Sequence, residues 1–444
     1  VIAPIVADPV AGLAIAGGAF GALLGGLGAL QRRRTFAPEF ARKLFHTGMG
    51  LVALTLPLLF ATTWPVLVLC ASAAAILGIV RWNRPANGTF GAVLHAVDRT
   101  SYGEFCFAAA TAVAFAAYHD RPLLYEIPMA TLAFADSAAA LVGSRLGRRR
   151  YRTVDGRKSL EGSLAFFAVA FECALVPLLA THATGNAAAV LVAIVFASMA
   201  TSMEATCWRG GDNLGIPLVG GGVLAEFVRE PLATLALQTG VLVALVVAVL
   251  VVRRRTTLGI DAVMAALFFG YTFWAWGGIA YLVPPAILFA VDAFPGRCRS
   301  ARAGRPHRAS AVVATCAPGL AWAFAAQIAH DRGLAVGGDV LYAGYLASFS
   351  AALGIFQFTI RGRRIAAGCI AALACAPVAF VVARDPVLAA IVLVTTIAAT
   401  AFFAALQPRA FPDCPRDGGR WWRQGLLSTG FSLGAFALFT LTRG

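Results

Sequence analysis

The chain has 444 residues, of which 59% are hydrophobic and only 13% charged, with a mean hydropathy of +0.78. Soluble domains carry roughly 25% charged residues, so a water-soluble fold of this length is excluded. The formal net charge of +15 does not point to nucleic acid, because the arginines cluster in short segments between apolar runs, at 32–34, 148–152, 253–255, 297–308 and 361–364.

That spacing is the positive-inside pattern, which orients spans and favours an anionic leaflet. The nine cysteines are scattered without a CxxC pair, which gives neither a thiolate metal site nor a disulfide framework.

A membrane-crossing helix needs about 20 apolar residues. In chain order the apolar runs fall at 10–30, 44–60, 64–80, 105–118, 122–142, 160–181, 187–203, 231–252, 262–277, 279–294, 311–328, 340–360, 365–382, 386–406 and 426–441. They predict an all-α fold, a polytopic transmembrane helix bundle of about 15 spans. The first run has its arginines after it and none before, so it reads as a retained span with the N-terminus outside. Gly17, Gly21 and Gly25 give that span a small-residue face.

With this orientation the basic loops at 31–43, 81–104 and 144–159 are cytoplasmic. Arg253 to Arg255 join them only if residues 216–228 make one more crossing, and 13 residues are too few for a straight span. A short broken-helix passage with unwound backbone is therefore expected, which needs protein or a wet cavity around it. The remaining basic loops, 295–309, 361–364 and 407–424, then also fall on the cytoplasmic side. The expected organisation is a membrane domain over 1–255 and a second helical module over 256–444 of unassigned role. A bacterial-type inner or plasma membrane is the expected location.

Four polar motifs interrupt the first half. Only Lys43 and Lys158 of the 36 basic residues are lysines, so each marks a place where a compact ammonium is wanted instead of a planar fork. In Arg42-Lys43-Leu44-Phe45-His46 the three polar residues share one side of a helix. In the run from Ala135 to Gly147, Asp136 lies roughly 10 Å inside the span, at about 1.5 Å per residue. A carboxylate at that depth is costly and by default functional. Ala140, Gly143 and Gly147 share a helix face, a bare surface that leaves room for a ligand or metal.

The third motif runs from Asp155 to Ser163. Ser159 is a natural N-cap, and a helix start beside Arg157 and Lys158 suits phosphate. It lacks the GxxxxG of a Walker A loop. The fourth comprises Glu204 and then Gly210-Gly211-Asp212-Asn213, whose oxygens are the kind Mg²⁺ takes together with substrate phosphates. Cations, a helix start and carboxylates are the components of phosphoryl transfer.

RKLFH, ADSAAALVGSRLG, GRKSLEGSLAFF and DNLGIP, in this order, resemble the polyprenol kinase superfamily over residues of about 38–230. That superfamily includes dolichol, phytol and farnesol kinases and the CTP-dependent diacylglycerol kinase, and is related to phosphatidate cytidylyltransferases. The resemblance implies transfer of the γ-phosphate of CTP to a membrane-embedded lipid alcohol, with Mg²⁺ or another divalent cation. Its polar residues carry onto Arg42, Lys43, His46, Asp136, Gly143, Lys158, Ser159, Glu161, Gly162, Asp212 and Asn213. In this reading Asp136, Lys158 and Glu161 are catalytic. Arg42, Lys43, His46, Gly143, Arg157, Ser159, Gly162 and Ser163 bind nucleotide phosphate. Asp136, Glu204, Asp212 and Asn213 hold the metal. The partners implied are a lipid alcohol, a nucleotide and membrane lipids.

The acidic C-terminal signature of the cytidylyltransferases is missing, which makes cytidylyl transfer the second reading and a lipid transporter or flippase the third. Beyond residue 255 the aromatic segment from Phe268 to Pro285 reads as an ordinary aromatic belt or core. Glu172 and Glu226 stand inside apolar runs without belonging to a motif.

Overall fold

The structure, a computed structural model, describes residues 5–6, 8–33, 38–82, 102–253, 256–293, 307–331, 338–360, 385–406 and 418–443. They form an all-α, polytopic membrane fold. It divides into two compact units, Val1–Gly240 and Val241–Gly444. The division falls inside a helix.

The first unit contains α1 (Pro9–Arg33), α2 (Pro38–Leu59), α3 (Trp64–Trp82), α4 (Gly103–Tyr118) and α5 (Pro122–Leu146). A hairpin follows, β1 (Arg150–Thr153) and β2 (Gly156–Ser159), and then α6 (Leu160–Ala180), α7 (Asn186–Thr206) and α8 (Asp212–Phe227). Helix α9 (Leu232–Val252) spans the division. Several starts are set by local chemistry. Asp8 Oδ1 accepts from Val10 N at 2.9 Å, Pro122 opens α5, and Ser159 Oγ accepts from Gly162 N at 3.1 Å.

Helix α5 is the centre of this unit, packed against α2, α4, α6 and α8. Its core is aromatic. Buried Tyr125 meets Phe115 edge-on at 5.6 Å and donates to the Ala53 carbonyl of α2 at 2.9 Å, which lets a hydroxyl sit in an apolar interior.

The second unit holds α10 (Ile260–Ala293), α11 (Ala309–Asp331), α12 (Gly338–Ile360), α13 (Pro386–Leu406) and α14 (Gly418–Arg443). Helix α12 is the most buried of them, covered by α11, α13 and α14. The backbone of α10 is broken at Gly278, with φ 61° and ψ −150°. Pro284 and Pro285 follow and supply no N–H to the carbonyls of Ala280 and Tyr281, four residues back. Tyr342 Oη donates to the Ala280 carbonyl at 3.0 Å, and Tyr345 Oη donates to that of Tyr281. Two hydroxyls of α12 thus satisfy the two acceptors that the prolines leave.

Four expectations are corrected. First, ten of the described helices, not about 15, are long and apolar enough to cross a membrane. Lys43–Leu59, Trp64–Ile79 and Gly103–Tyr118 are apolar stretches of at most 17 residues. At about 1.5 Å per residue these apolar stretches, as distinct from the full lengths of α2 and α3, fall short of a hydrocarbon core of about 30 Å. The runs at 262–277 and 279–294 join as α10, with the division at Gly278, and the run at 365–382 lies outside the described residues.

Second, the short passage is not unwound: α8 is a continuous helix despite Pro217. Gly220 and Gly221 serve close approach instead. A Cβ on Gly220 would lie 2.7 Å from the Phe196 ring, and one on Gly221 would lie 2.5 Å from that of Tyr118. Third, residues 150–159 are a two-stranded antiparallel hairpin, not a plain loop, with Arg150 paired to Ser159 and Thr153 to Gly156.

Fourth, the bare face of α5 is filled. A Cβ on Gly143 would lie 3.0 Å from Ser159 Oγ, and one on Gly147 would lie 2.8 Å from the same atom. Gly143 and Gly147 admit the start of α6, which occupies the face at those two positions.

Candidate active site

Helices α2 and α5 touch where a Cβ on Gly50 would lie 2.4 Å from that of Ala133. One turn further along, Thr47 Oγ1 and Ser137 Oγ hydrogen bond at 2.7 Å. This contact brings the first two motifs together. Lys43 Nζ lies 2.5 Å from Asp136 Oδ2, and His46 Nε2 lies 3.6 Å from the same oxygen. The i,i+3 spacing of Lys43 and His46 on α2 directs both to one carboxylate. The His46 ring also rests edge-on against Phe107 of α4 at 5.8 Å. Asp136, Lys43 and His46 are all largely buried. The side chain of Arg42 lies outside the described residues.

The third and fourth motifs meet at the hairpin. Strand alternation turns Arg157 outward with Arg150 and Arg152, while Lys158 points inward. The structure therefore separates Arg157 from Lys158. Lys158 Nζ lies 2.8 Å from Glu204 Oε1 and also donates to the Glu204 carbonyl. Burial opposes the ammonium charge, but the Glu204 and Asp212 carboxylates and Tyr151 outweigh it and hold Lys158 above the usual lysine range.

The two halves form one electrostatic neighbourhood, since Glu204 feels Lys158, Asp136 and Asp212. Lys43 joins it through Asp136.

Other singled-out residues build the frame. Ser159 caps α6. A Cβ on Gly162 would lie 2.9 Å from the Ala139 carbonyl oxygen and 3.2 Å from Gly143 Cα, so the Gly143–Gly162 contact sets the α5–α6 crossing. Glu161 accepts from Arg149 N with both oxygens, at 3.1 and 3.2 Å, and ties the hairpin to α6. Ser163 Oγ and Tyr151 Oη hydrogen bond at 2.8 Å. Asn213 Nδ2 donates to the Gly103 carbonyl at 2.8 Å and ties α8 to α4. Tyr151 was not anticipated, although the alternation Arg-Tyr-Arg-Thr is a period-two strand signal.

For a divalent cation the fit is partial. Among the described residues no group of three or more His, Cys, Asp or Glu is arranged to hold a metal. Asp136 and Glu204 each carry a lysine instead. Mg²⁺ that arrives on nucleotide phosphates needs only one or two carboxylates. Glu204 Oε2 is buried without a hydrogen-bond partner among the described residues, and half-buried Asp212 lies within its electrostatic reach. These two fit such an ion.

Fold and cluster together define a polytopic helical membrane protein with a buried lysine–carboxylate site in its first unit. The chain is 31% identical over 193 residues to the phytol kinase of Synechocystis sp., a match that covers 43% of this chain and 80% of that protein. It belongs to the phytol kinase family. No protein-family model and no solved structure matches it.

Proposed function

We propose that this chain transfers the γ-phosphate of CTP to a membrane-embedded isoprenoid alcohol, of the phytol or polyprenol type, giving the lipid monophosphate and CDP. The observation that carries the proposal is that the chain's two lysines both lie against buried carboxylates of one cluster. Similarity to a phytol kinase supports the alcohol as acceptor.

Phosphoryl transfer rests on positioning and charge neutralisation more than on covalent chemistry. Lys43 and Lys158 are stored as ion pairs and turn to the phosphates when the nucleotide arrives. Asp136 accepts the hydroxyl proton, the alcohol oxygen bonds to the γ-phosphorus, and the bond from that phosphorus to the bridging oxygen of CDP breaks. His46, with Nε2 3.6 Å from the same oxygen, adds positive charge beside Asp136 when it is protonated. Mg²⁺, when bound through Asp212 and Glu204, supplies neutralisation of the phosphate charge. The arginines of 148–152 and 157 support a cytoplasmic side for this end of the unit.

The test is a panel. Purified protein receives CTP, ATP, GTP or UTP labelled at the γ-position, with phytol, a polyprenol or diacylglycerol in mixed micelles. Label on phytol or polyprenol with release of CDP is expected. Release of pyrophosphate in place of CDP would move the chain to the cytidylyl-transfer reading.

A further inference from the structure

Lys158 reaches the cluster from a hairpin whose own residues say little about register. Each strand has four residues, and Tyr151 is the only aromatic or apolar side chain in the two. Side chains alternate along a strand, so a slip of one residue would turn Lys158 outward and Arg157 inward. Arg152 stands directly opposite Arg157, and like charges in that position work against pairing. Strands this short and polar specify register weakly.

Tyr151 supplies what the pattern lacks. Its side chain is buried, and Tyr151 Oη hydrogen bonds with Ser163 Oγ at 2.8 Å, one turn into α6. The second tie between hairpin and α6, from Glu161 to Arg149 N, is made by an exposed carboxylate. Tyr151 is also the cross-strand partner of Lys158. Such partners share one face, with Cβ atoms about 4.5–5.5 Å apart. The ring therefore stands beside the lysine stem, and the tyrosine acts electrostatically on the ammonium.

We propose that Tyr151 is a positioning residue for phosphate transfer. Anchored to α6 through Ser163, it sets the register that turns Lys158, and not Arg157, to the carboxylates. Its part in transfer rests on the reading of the cluster as a phosphoryl-transfer site.

Two readouts keep the register and that reading apart. Lys43 and Lys158 are the only lysines, so acylation by a water-soluble amine-reactive ester, followed by peptide mass spectrometry, reports each separately. The full-length parent is compared with Tyr151→Phe, Tyr151→Ala and Ser163→Ala, each shown to be folded by its thermal transition. Acylation needs the neutral amine, which the Glu204 pair suppresses in the parent. Tyr151→Ala should label Lys158 at least about tenfold faster, the equivalent of one pKa unit, with Lys43 unchanged. Tyr151→Phe and Ser163→Ala, which lose the tether and keep the ring, should fall between. In γ-phosphate transfer from CTP to phytol, kcat/KM should fall in the same order. Tyr151→Ala should cost nothing further in a Lys158→Ala background. Unchanged labelling of Lys158 in Tyr151→Ala overturns the proposal, and so does an equal loss of transfer with and without Lys158. If Tyr151→Ala does not fold, unchanged labelling in both Tyr151→Phe and Ser163→Ala overturns it. A parent chain that transfers no phosphate overturns the underlying reading, while the labelling still decides the register.

Discussion

Replacing Glu204 with Gln removes the charge that Lys158 Nζ meets at 2.8 Å while preserving shape. Breaking a buried ion pair from one side costs about 3–5 kcal/mol, because the remaining charge is left uncompensated. The low end applies here, about 3 kcal/mol. Lys158 is a quarter exposed, keeps its bond to the Glu204 carbonyl, and still feels Asp212 and Tyr151.

The pH dependence follows with a definite sign. In the parent, Lys158 is held above the ordinary lysine value of 10.5, so its contribution is complete below that value and is lost only as pH rises through the folded one. Lys158 therefore contributes fully between about pH 7 and pH 9 in the parent and adds no pH dependence to stability there. In Glu204→Gln the largest influence on Lys158, burial, acts with less opposition and lowers it. The variant should lose stability and transfer activity, and gain an alkaline limb that the parent lacks. Thermal unfolding in detergent micelles at several pH values is the assay. A Glu204→Gln protein as stable as the parent, with an unchanged pH profile, would refute the reasoning.

Asp136→Asn should lower stability by about 3 kcal/mol, since it leaves Lys43 buried without its carboxylate. Adding Lys43→Met should restore folding without restoring transfer, and recovered transfer in that double variant would count against Asp136 as the base. Gly162→Ala puts a Cβ against two backbone atoms, the Ala139 carbonyl oxygen and Gly143 Cα. The cost of about 1–3 kcal/mol should appear as a lower unfolding temperature, and no change would show that the crossing is loose. Tyr345→Phe strips the hydroxyl from the Tyr281 carbonyl and should cost about 1–3 kcal/mol. Pro285→Ala should rescue it by restoring an N–H four residues on, and failure of that rescue would contradict the explanation.

The parts of this structure legible in the sequence are those with a strong local signal. Apolar length gave the helices, and the isolated lysines and the buried carboxylate marked where polar groups meet. What stayed hidden was set by tertiary contact. Gly143, Gly147, Gly220 and Gly221 look alike as letters, whether a bare face awaits a ligand or a neighbouring helix. Only the positions of Ser159, Phe196 and Tyr118 decide. The hairpin was missed because its strands have four residues each, too few for alternation to stand out. The partner of Lys158 was illegible for the same reason, as Glu204 is 46 residues away.

The central claim is that the cluster around Asp136, Lys158 and Glu204 moves a phosphate onto a lipid alcohol. Transfer of γ-labelled phosphate from CTP to phytol, measured in one turnover with purified parent and Lys158→Ala side by side, tests it most directly. The account predicts labelled phytyl monophosphate from the parent. Lys158→Ala, shown to be folded by its unfolding transition, should form at least 100-fold less, about 2.7 kcal/mol of lost transition-state stabilisation. Equal labelling by the folded Lys158→Ala protein would contradict it.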